Sequence, residues 1–228
     1  MDYGVYLVTE AGLAGDLTTT DVVRDAIAGG VDVIQLREKT ASARDRYDLG
    51  RNLRALTREA GVDLVVNDRV DIARAIDADG VHLGDDDLPV EAARAQLGDE
   101  AVVGRSVSTV EGARDAERAG ADYLGVGAVY RTGTKDTDPD QTAVGLDRVR
   151  AIREAVSIPL VGIGGVDAEN AADVVAAGAD GVAVVSAIMA AEDPTAATAA
   201  LGDAVERGRS ARDDGHDESR SDDPETGR

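Results

Sequence analysis

Gly178-Ala179-Asp180-Gly181-Val182-Ala183-Val184-Val185 is a small residue and an aspartate followed by a short run without a single polar side chain. Glycine suits the left-handed end of a helix, and a run of Val and Ala suits a parallel strand buried on both faces. The arrangement recurs upstream at Gly30-Val31-Asp32, Gly61-Val62-Asp63, Ala78-Asp79-Gly80 and Gly120-Ala121-Asp122. Together with three further runs found by pattern alone, these give eight expected strands, at about 4–8, 32–36, 63–66, 80–83, 102–107, 123–129, 159–163 and 181–185. Amphipathic stretches rich in Ala, Arg, Asp and Glu separate them. Ser108-Thr109-Val110-Glu111 reads as a capping box, and Asp167 opens an Ala-rich segment at 168–177. Eightfold alternation of strand and helix over some 200 residues implies parallel strands joined by crossovers, and a single parallel (β/α)8 TIM barrel closes that count. An open doubly wound sheet obeys the same alternation and is the structural alternative.

A chain of 228 residues buries a core as one domain. The barrel is expected over residues 1–206 as the catalytic domain. Residues 207–228, rich in Asp, Arg, Ser and Gly, are expected to form an acidic, disordered C-terminal tail. Phe and Trp are absent and only five Tyr occur, so Val, Ile, Leu and Ala are expected to build the interior. No run of about 18 apolar residues and no basic-then-apolar leader is present, which predicts a cytoplasmic protein. Without cysteine there is neither a disulfide nor a thiolate metal site.

The net charge of −21 disfavours nucleic acid and anionic membrane, both of which require a basic patch. It suits a halophilic, well-hydrated surface whose self-repulsion is screened by salt. Of the 24 basic residues all but Lys39 and Lys135 are arginine, and both lysines lie in polar segments directly after apolar strands. A compact ammonium there can reach a phosphate.

In such a barrel catalytic groups lie just beyond the C-terminal ends of the strands. After the second strand, alternation can direct Gln35, Arg37 and Lys39 to one side, either converging on an anion or forming a solvated strand end. Asn67 and Asp68 follow the third strand, where the same residue types also make turns and helix caps. His82-Leu83-Gly84 leads into Asp85, Asp86 and Asp87; carboxylates here could join Asp68 around a hard divalent cation, whereas His82 reads as a packed, hydrogen-bonded side chain. Ser106 follows the fifth strand, to meet a polar substrate group or cap the next helix. After the sixth come Thr132, Gly133, Thr134 and Lys135, dense in donors that suit phosphate, in a connection long enough for a lid. Gly162-Ile163-Gly164-Gly165 ends the seventh strand, and Val185-Ser186 the eighth. Loops at those two positions form a common phosphate site in barrels.

Taken in order, Gln35-Leu36-Arg37-Glu38-Lys39, Asn67-Asp68, His82-Leu83-Gly84 with Asp87, Thr132-Gly133-Thr134-Lys135, Gly162-Ile163-Gly164-Gly165 and Val185-Ser186 resemble the thiamine-phosphate synthase family across about residues 3–200. The resemblance implies a transferase of thiamine biosynthesis that joins 4-amino-2-methyl-5-hydroxymethylpyrimidine diphosphate to 4-methyl-5-(2-phosphoethyl)thiazole, releasing diphosphate. Carried over by motif, Gln35, Arg37, Lys39, Asn67, Ser106 and Lys135 would form the pyrimidine-diphosphate site. Arg37, Lys39, Lys135 and Ser106 would act in catalysis, Asp68 and Asp87 would hold Mg²⁺, and Thr132, Thr134, Gly165, Val185 and Ser186 would bind the thiazole phosphate. The implied partners are these two small molecules, with no nucleic acid or membrane, and a homo-oligomer is compatible with the chain.

Four positions depart from the usual family pattern: Ala128 and Arg131 stand where prolines are common, Arg105 replaces a small apolar residue, and Asp85 stands where Gln is frequent. The alternatives are a thiazole tautomerase of the same superfamily, which has no need of the diphosphate and metal set, and a non-catalytic barrel that binds thiamine phosphate.

Overall fold

The computed structural model describes residues 1–131 and 143–221. Its eight strands are β1 (Val5–Val8), β2 (Val33–Leu36), β3 (Asp63–Asn67), β4 (Gly80–Leu83), β5 (Val102–Val107), β6 (Tyr123–Gly127), β7 (Leu160–Ile163) and β8 (Gly181–Val184). They pair in parallel and in sequence order, and β8 closes on β1 through Val5↔Val182 and Leu7↔Val184. The expected alternation is therefore a closed barrel and not an open sheet. The helices between and after the strands are α1 (Thr19–Ala28), α2 (Ala43–Ala60), α3 (Val70–Ile76), α4 (Val90–Leu97), α5 (Val110–Arg118), α6 (Gly145–Arg153), α7 (Ala171–Ala176), α8 (Ser186–Met189) and α9 (Pro194–Ser221).

Alternation along the strands sorts side chains into two cores. Leu7, Ile34, Leu36, Leu64, Val66, Leu124 and Val126 face outward to the helices. Inside the barrel lie Tyr3, Tyr6, Val8, Val33, Val65, Tyr123, Val161 and Ala183. This corrects the expectation of a purely aliphatic interior, because three of the five tyrosines fill its centre. Tyr3 and Tyr123 pack with ring centroids 4.8 Å apart, and His82 lies 5.4 Å from Tyr123. Two glycines make the room. A Cβ on Gly104 would overlap the Tyr123 ring, and one on Gly125 would sit 2.9 Å from His82 Cε1.

The recurring aspartate has a structural cause. Asp32, Asp79, Asp122 and Asp180 each precede an even-numbered strand. Each donates its own N–H to the carbonyl of a residue at the start of the preceding odd strand: Val5, Leu64, Val103 and Leu160 respectively. Its carboxylate accepts the N–H of that same residue, at 2.8, 2.7, 2.6 and 2.8 Å in turn. Three of these carboxylates also pair with an arginine on an even-numbered helix: Arg54–Asp79 at 2.7 Å, Arg94–Asp122 at 2.5 Å and Arg153–Asp180 at 3.3 Å. The N-terminal rim of the barrel is thus a fourfold series of two-point clasps. The fifth aspartate of the sequence repeat, Asp63, opens an odd strand and makes no such clasp.

Three local expectations change. The cap of α5 is Thr109, whose Oγ1 accepts from Gly112 N at 3.0 Å, so the acidic partner of a capping box is replaced by glycine. Helix α7 starts at Ala171, after a turn in which Asp167 accepts from the N–H groups of Glu169 and Asn170. The boundary expected at residue 206 falls inside α9. That helix buries Leu201, Ala204 and Val205, and a Cβ on Gly208 would collide with Ala172 and Val175 of α7. Beyond it Arg209 and Arg212 donate to the carbonyls of Asp180 and Ala179, at 3.0 and 3.1 Å. Glycine and arginine contacts, invisible to a search for apolar runs, carry the helix onward.

Candidate active site

The rim at the C-terminal ends of β2 to β5 is polar on its inward face. Val33 and Val65 lie in the barrel's inner core, so Gln35 and Asn67, two residues further along their strands, face the same way. Gln35, Asn67 and His82 are buried at 5%, 7% and 9% exposure. Gln35 Nε2 donates to Tyr6 Oη at 2.8 Å, and the Tyr6 and Tyr123 hydroxyls meet at 2.8 Å. Tyr123 Oη lies 2.9 Å from His82 Nδ1, and His82 Nε2 lies 2.9 Å from Ser106 Oγ. An unbroken hydrogen-bonded chain thus crosses the barrel from β2 through β1, β6 and β4 to β5. His82 is the hydrogen-bonded core residue its setting suggested. Asn67 Nδ2 is buried and has no partner among the described residues, leaving a donor for a bound group.

Arg37 is held at the mouth. Its N–H donates to Thr9 Oγ1 at 3.1 Å, and its Nη1 pairs with Glu10 at 2.6 Å. Glu38 points the other way and is buried, accepting from Ala11 N and Thr19 Oγ1, so it locks the segment after β1 to the start of α1. Lys39 is exposed, and its carbonyl is fixed by Arg46 Nη2 at 2.9 Å.

Asp68 stands at φ 63°, a left-handed conformation that costs a non-glycine residue about 1 kcal/mol and that persists where surrounding contacts impose it. Its N–H donates to the His82 carbonyl at 2.9 Å. Its carboxyl shares a hydrogen bond with Asp87, and burial, followed by that neighbour, pushes it up to about 6 against the opposing pull of Lys39 and Arg37. Asp87 is itself positioned by Gly84 N–H at 2.6 Å. Two carboxyls crowded beside two cations form an oxygen donor pair of the kind Mg²⁺ accepts, with water and phosphate oxygens to complete an octahedron. Among the described residues no group of three or more His, Asp or Glu side chains joins to hold a metal.

Gly164 and Gly165 lie at φ 98° and 67°. The Gly164 carbonyl accepts from Tyr130 N at 2.9 Å, and a Cβ on Gly165 would approach the Arg131 carbonyl to 2.7 Å. The turn after β7 is therefore pressed against the segment after β6. Ile163 pairs with Ala183 in register, so the turn after β7 begins beside the end of β8. Val185 and the exposed Ser186 follow at the start of α8. Thr132, Thr134 and Lys135 lie outside the described residues. The structure also pairs two residues singled out above as departures: Arg105 Nη2 meets Asp85 at 2.7 Å. Sequence reasoning missed Tyr6, Tyr123 and Glu10; the usable signal for the first two is a tyrosine at an inward position in a chain with so few aromatics.

Residues 5–188 match the family model described as thiamine monophosphate synthase. The chain belongs to the thiamine monophosphate synthase family. It is 67% identical over 205 residues to a protein of Natronomonas pharaonis named thiamine-phosphate synthase, covering 90% of this chain and 96% of that one. A protein of the same name from Haloarcula marismortui is 65% identical, over 92% of this chain and all of its own. Among solved structures, the thiamine phosphate pyrophosphorylase from Pyrococcus furiosus superposes with a TM-score of 0.83 at 42% identity, over 91% of this chain and 97% of its own. Membership of this family accounts for the barrel. No helix among the described residues is long and apolar enough to cross a membrane.

Proposed function

We propose that the chain is a thiamine-phosphate synthase that alkylates the nitrogen of 4-methyl-5-(2-phosphoethyl)thiazole with 4-amino-2-methyl-5-hydroxymethylpyrimidine diphosphate. The observation that carries this reading is the pairing of Asp68 with Asp87, within electrostatic reach of Arg37 and Lys39, at the same strand ends that carry Gln35, Asn67 and Ser106. Loss of diphosphate from the exocyclic carbon needs charge stabilisation on the leaving group, not a protein nucleophile. Asp68 and Asp87 would hold Mg²⁺. When bound, the ion would supply positive charge against the departing diphosphate. Arg37, kept in place by Glu10, and Lys39 meet the same anion, and Lys135 joins them from the segment after β6. Gln35, Asn67 and Ser106 orient the pyrimidine. Gly165, Val185 and Ser186 bind the thiazole phosphate, a role the sequence motif extends to Thr132 and Thr134. In our reading the enzyme works in the cytoplasm, and its acidic surface is an adaptation to high salt.

Mixing the two substrates with the protein and Mg²⁺ should release diphosphate and form thiamine phosphate, and chelation should stop both. Asp68→Asn and Asp87→Asn should each lower turnover by roughly 10²–10³-fold without unfolding the chain. A folded protein that releases no diphosphate would sink the proposal.

A further inference from the structure

The hydrogen-bonded chain from Gln35 to Ser106 has a direction, because its members differ in what they can give. An amide nitrogen only donates, a hydroxyl has one hydrogen to pass on, and a neutral imidazole carries one N–H and one bare nitrogen. Burial raises both the Tyr6 and Tyr123 hydroxyls well above the usual phenol range, so each keeps its hydrogen. Gln35 Nε2 donates to Tyr6, and by distance either hydroxyl could donate in the Tyr6–Tyr123 contact; the arrangement that leaves neither buried hydroxyl hydrogen unspent sends the Tyr6 hydrogen to Tyr123 and the Tyr123 hydrogen to His82 Nδ1. His82 then carries its hydrogen on Nε2 and gives it to Ser106 Oγ. Among the described residues the Ser106 hydrogen is left over for the pocket, as is the Gln35 carbonyl oxygen at the opposite end.

We propose that this one-way chain is the specificity element of the pocket: it fixes Ser106 as a donor and Gln35 as an acceptor, and so selects a ring that presents a bare nitrogen to one and an amino group to the other. Tyr6 and Tyr123 are the positioning residues that transmit the direction without needing to touch substrate. The neighbouring amino group and ring nitrogen of an aminopyrimidine have this polarity, so the choice of ring rests on the function proposed above. An oxo analogue, with acceptor and donor exchanged, meets two mismatches, and a mismatch at a buried hydrogen-bonding site discriminates far more strongly than a change of size.

The experiment has two arms. In the full chain labelled with ¹⁵N-histidine, with His216 assigned by a His216→Gln variant, His82 without substrate should be the Nε2–H tautomer. In Tyr123→Phe, where Nδ1 loses its donor, a share of Nδ1–H should appear. Finding Nδ1–H in the unaltered protein would reverse the chain and overturn the proposal. In the second arm, Tyr6→Phe and Tyr123→Phe, checked for folding by thermal unfolding, should raise KM for the pyrimidine diphosphate about tenfold while leaving KM for the thiazole phosphate unchanged. The same variants should lose part of the discrimination against the oxo analogue. Unchanged pyrimidine KM and discrimination in both folded variants would also overturn it. The tautomer is read without substrate, so its outcome stands even if the unaltered protein turns over neither compound, a result that would refute the function and not the chain's direction.

Discussion

Gly104 and Gly125 act through the side chains they lack, since the space they leave is occupied by Tyr123 and His82. Asp63 is the contrasting case, a charged side chain whose burial outweighs the pull of the N-terminal amine and Arg54. Burial, and then the nearby Asp79 carboxylate, raise its pKa in the folded protein. A raised carboxyl pKa means the fold prefers the protonated form: the benefit is complete below the ordinary carboxylate range and is lost as pH rises through the folded value. At neutral pH the ionised side chain therefore costs stability. Asp63→Asn should raise the thermal midpoint by roughly 1–3 °C at pH 7, with the gain shrinking to nothing as the pH falls below the ordinary carboxylate range. An equal or lower midpoint at pH 7 would contradict this account.

At the scale of elements, the barrel is built from four two-strand units closed by aspartate clasps. Each clasp satisfies the first backbone groups of an odd strand where no earlier ladder partner serves them, and three bring an even helix to the same point through arginine. Because Asp79 binds both Leu64 N and the Arg54 guanidinium, Asp79→Ala would leave two groups unpaired. A loss of about 2 kcal/mol is expected, with a fall in the thermal midpoint of roughly 4–8 °C. Hydrogen exchange should also speed up first at the Leu64 amide. Exchange that is faster everywhere but no faster at Leu64 would mean that the clasp is not what holds the start of β3.

Over the whole molecule a charge of −21 meets an active site for two anions. Self-repulsion of that size is screened within about 3 Å at 1 M salt and extends to about 10 Å at 0.1 M. The thermal midpoint should therefore rise steadily with KCl between 0.1 and 2 M, and a midpoint independent of KCl would count against the high-salt reading. Eight strands and their parallel order were legible in the sequence because buried parallel strands leave continuous apolar runs between amphipathic stretches, as Gly178 to Val185 illustrates. So was the position of Gln35, Asn67, Asp68, Asp87 and Ser106 at the strand ends, since polar residues there fall on one rim of such a barrel. The sequence alone determined the period, the layers and the chemistry available at the mouth. Only the tertiary structure decided that the sheet closes, that four of the five repeated aspartates are clasps, that α9 runs past residue 206, and that Tyr6, Tyr123 and His82 join Gln35 to Ser106. Those depend on contacts between residues far apart in the chain, 117 positions for Tyr6 to Tyr123 and more for the Val5↔Val182 closure, which no local pattern encodes.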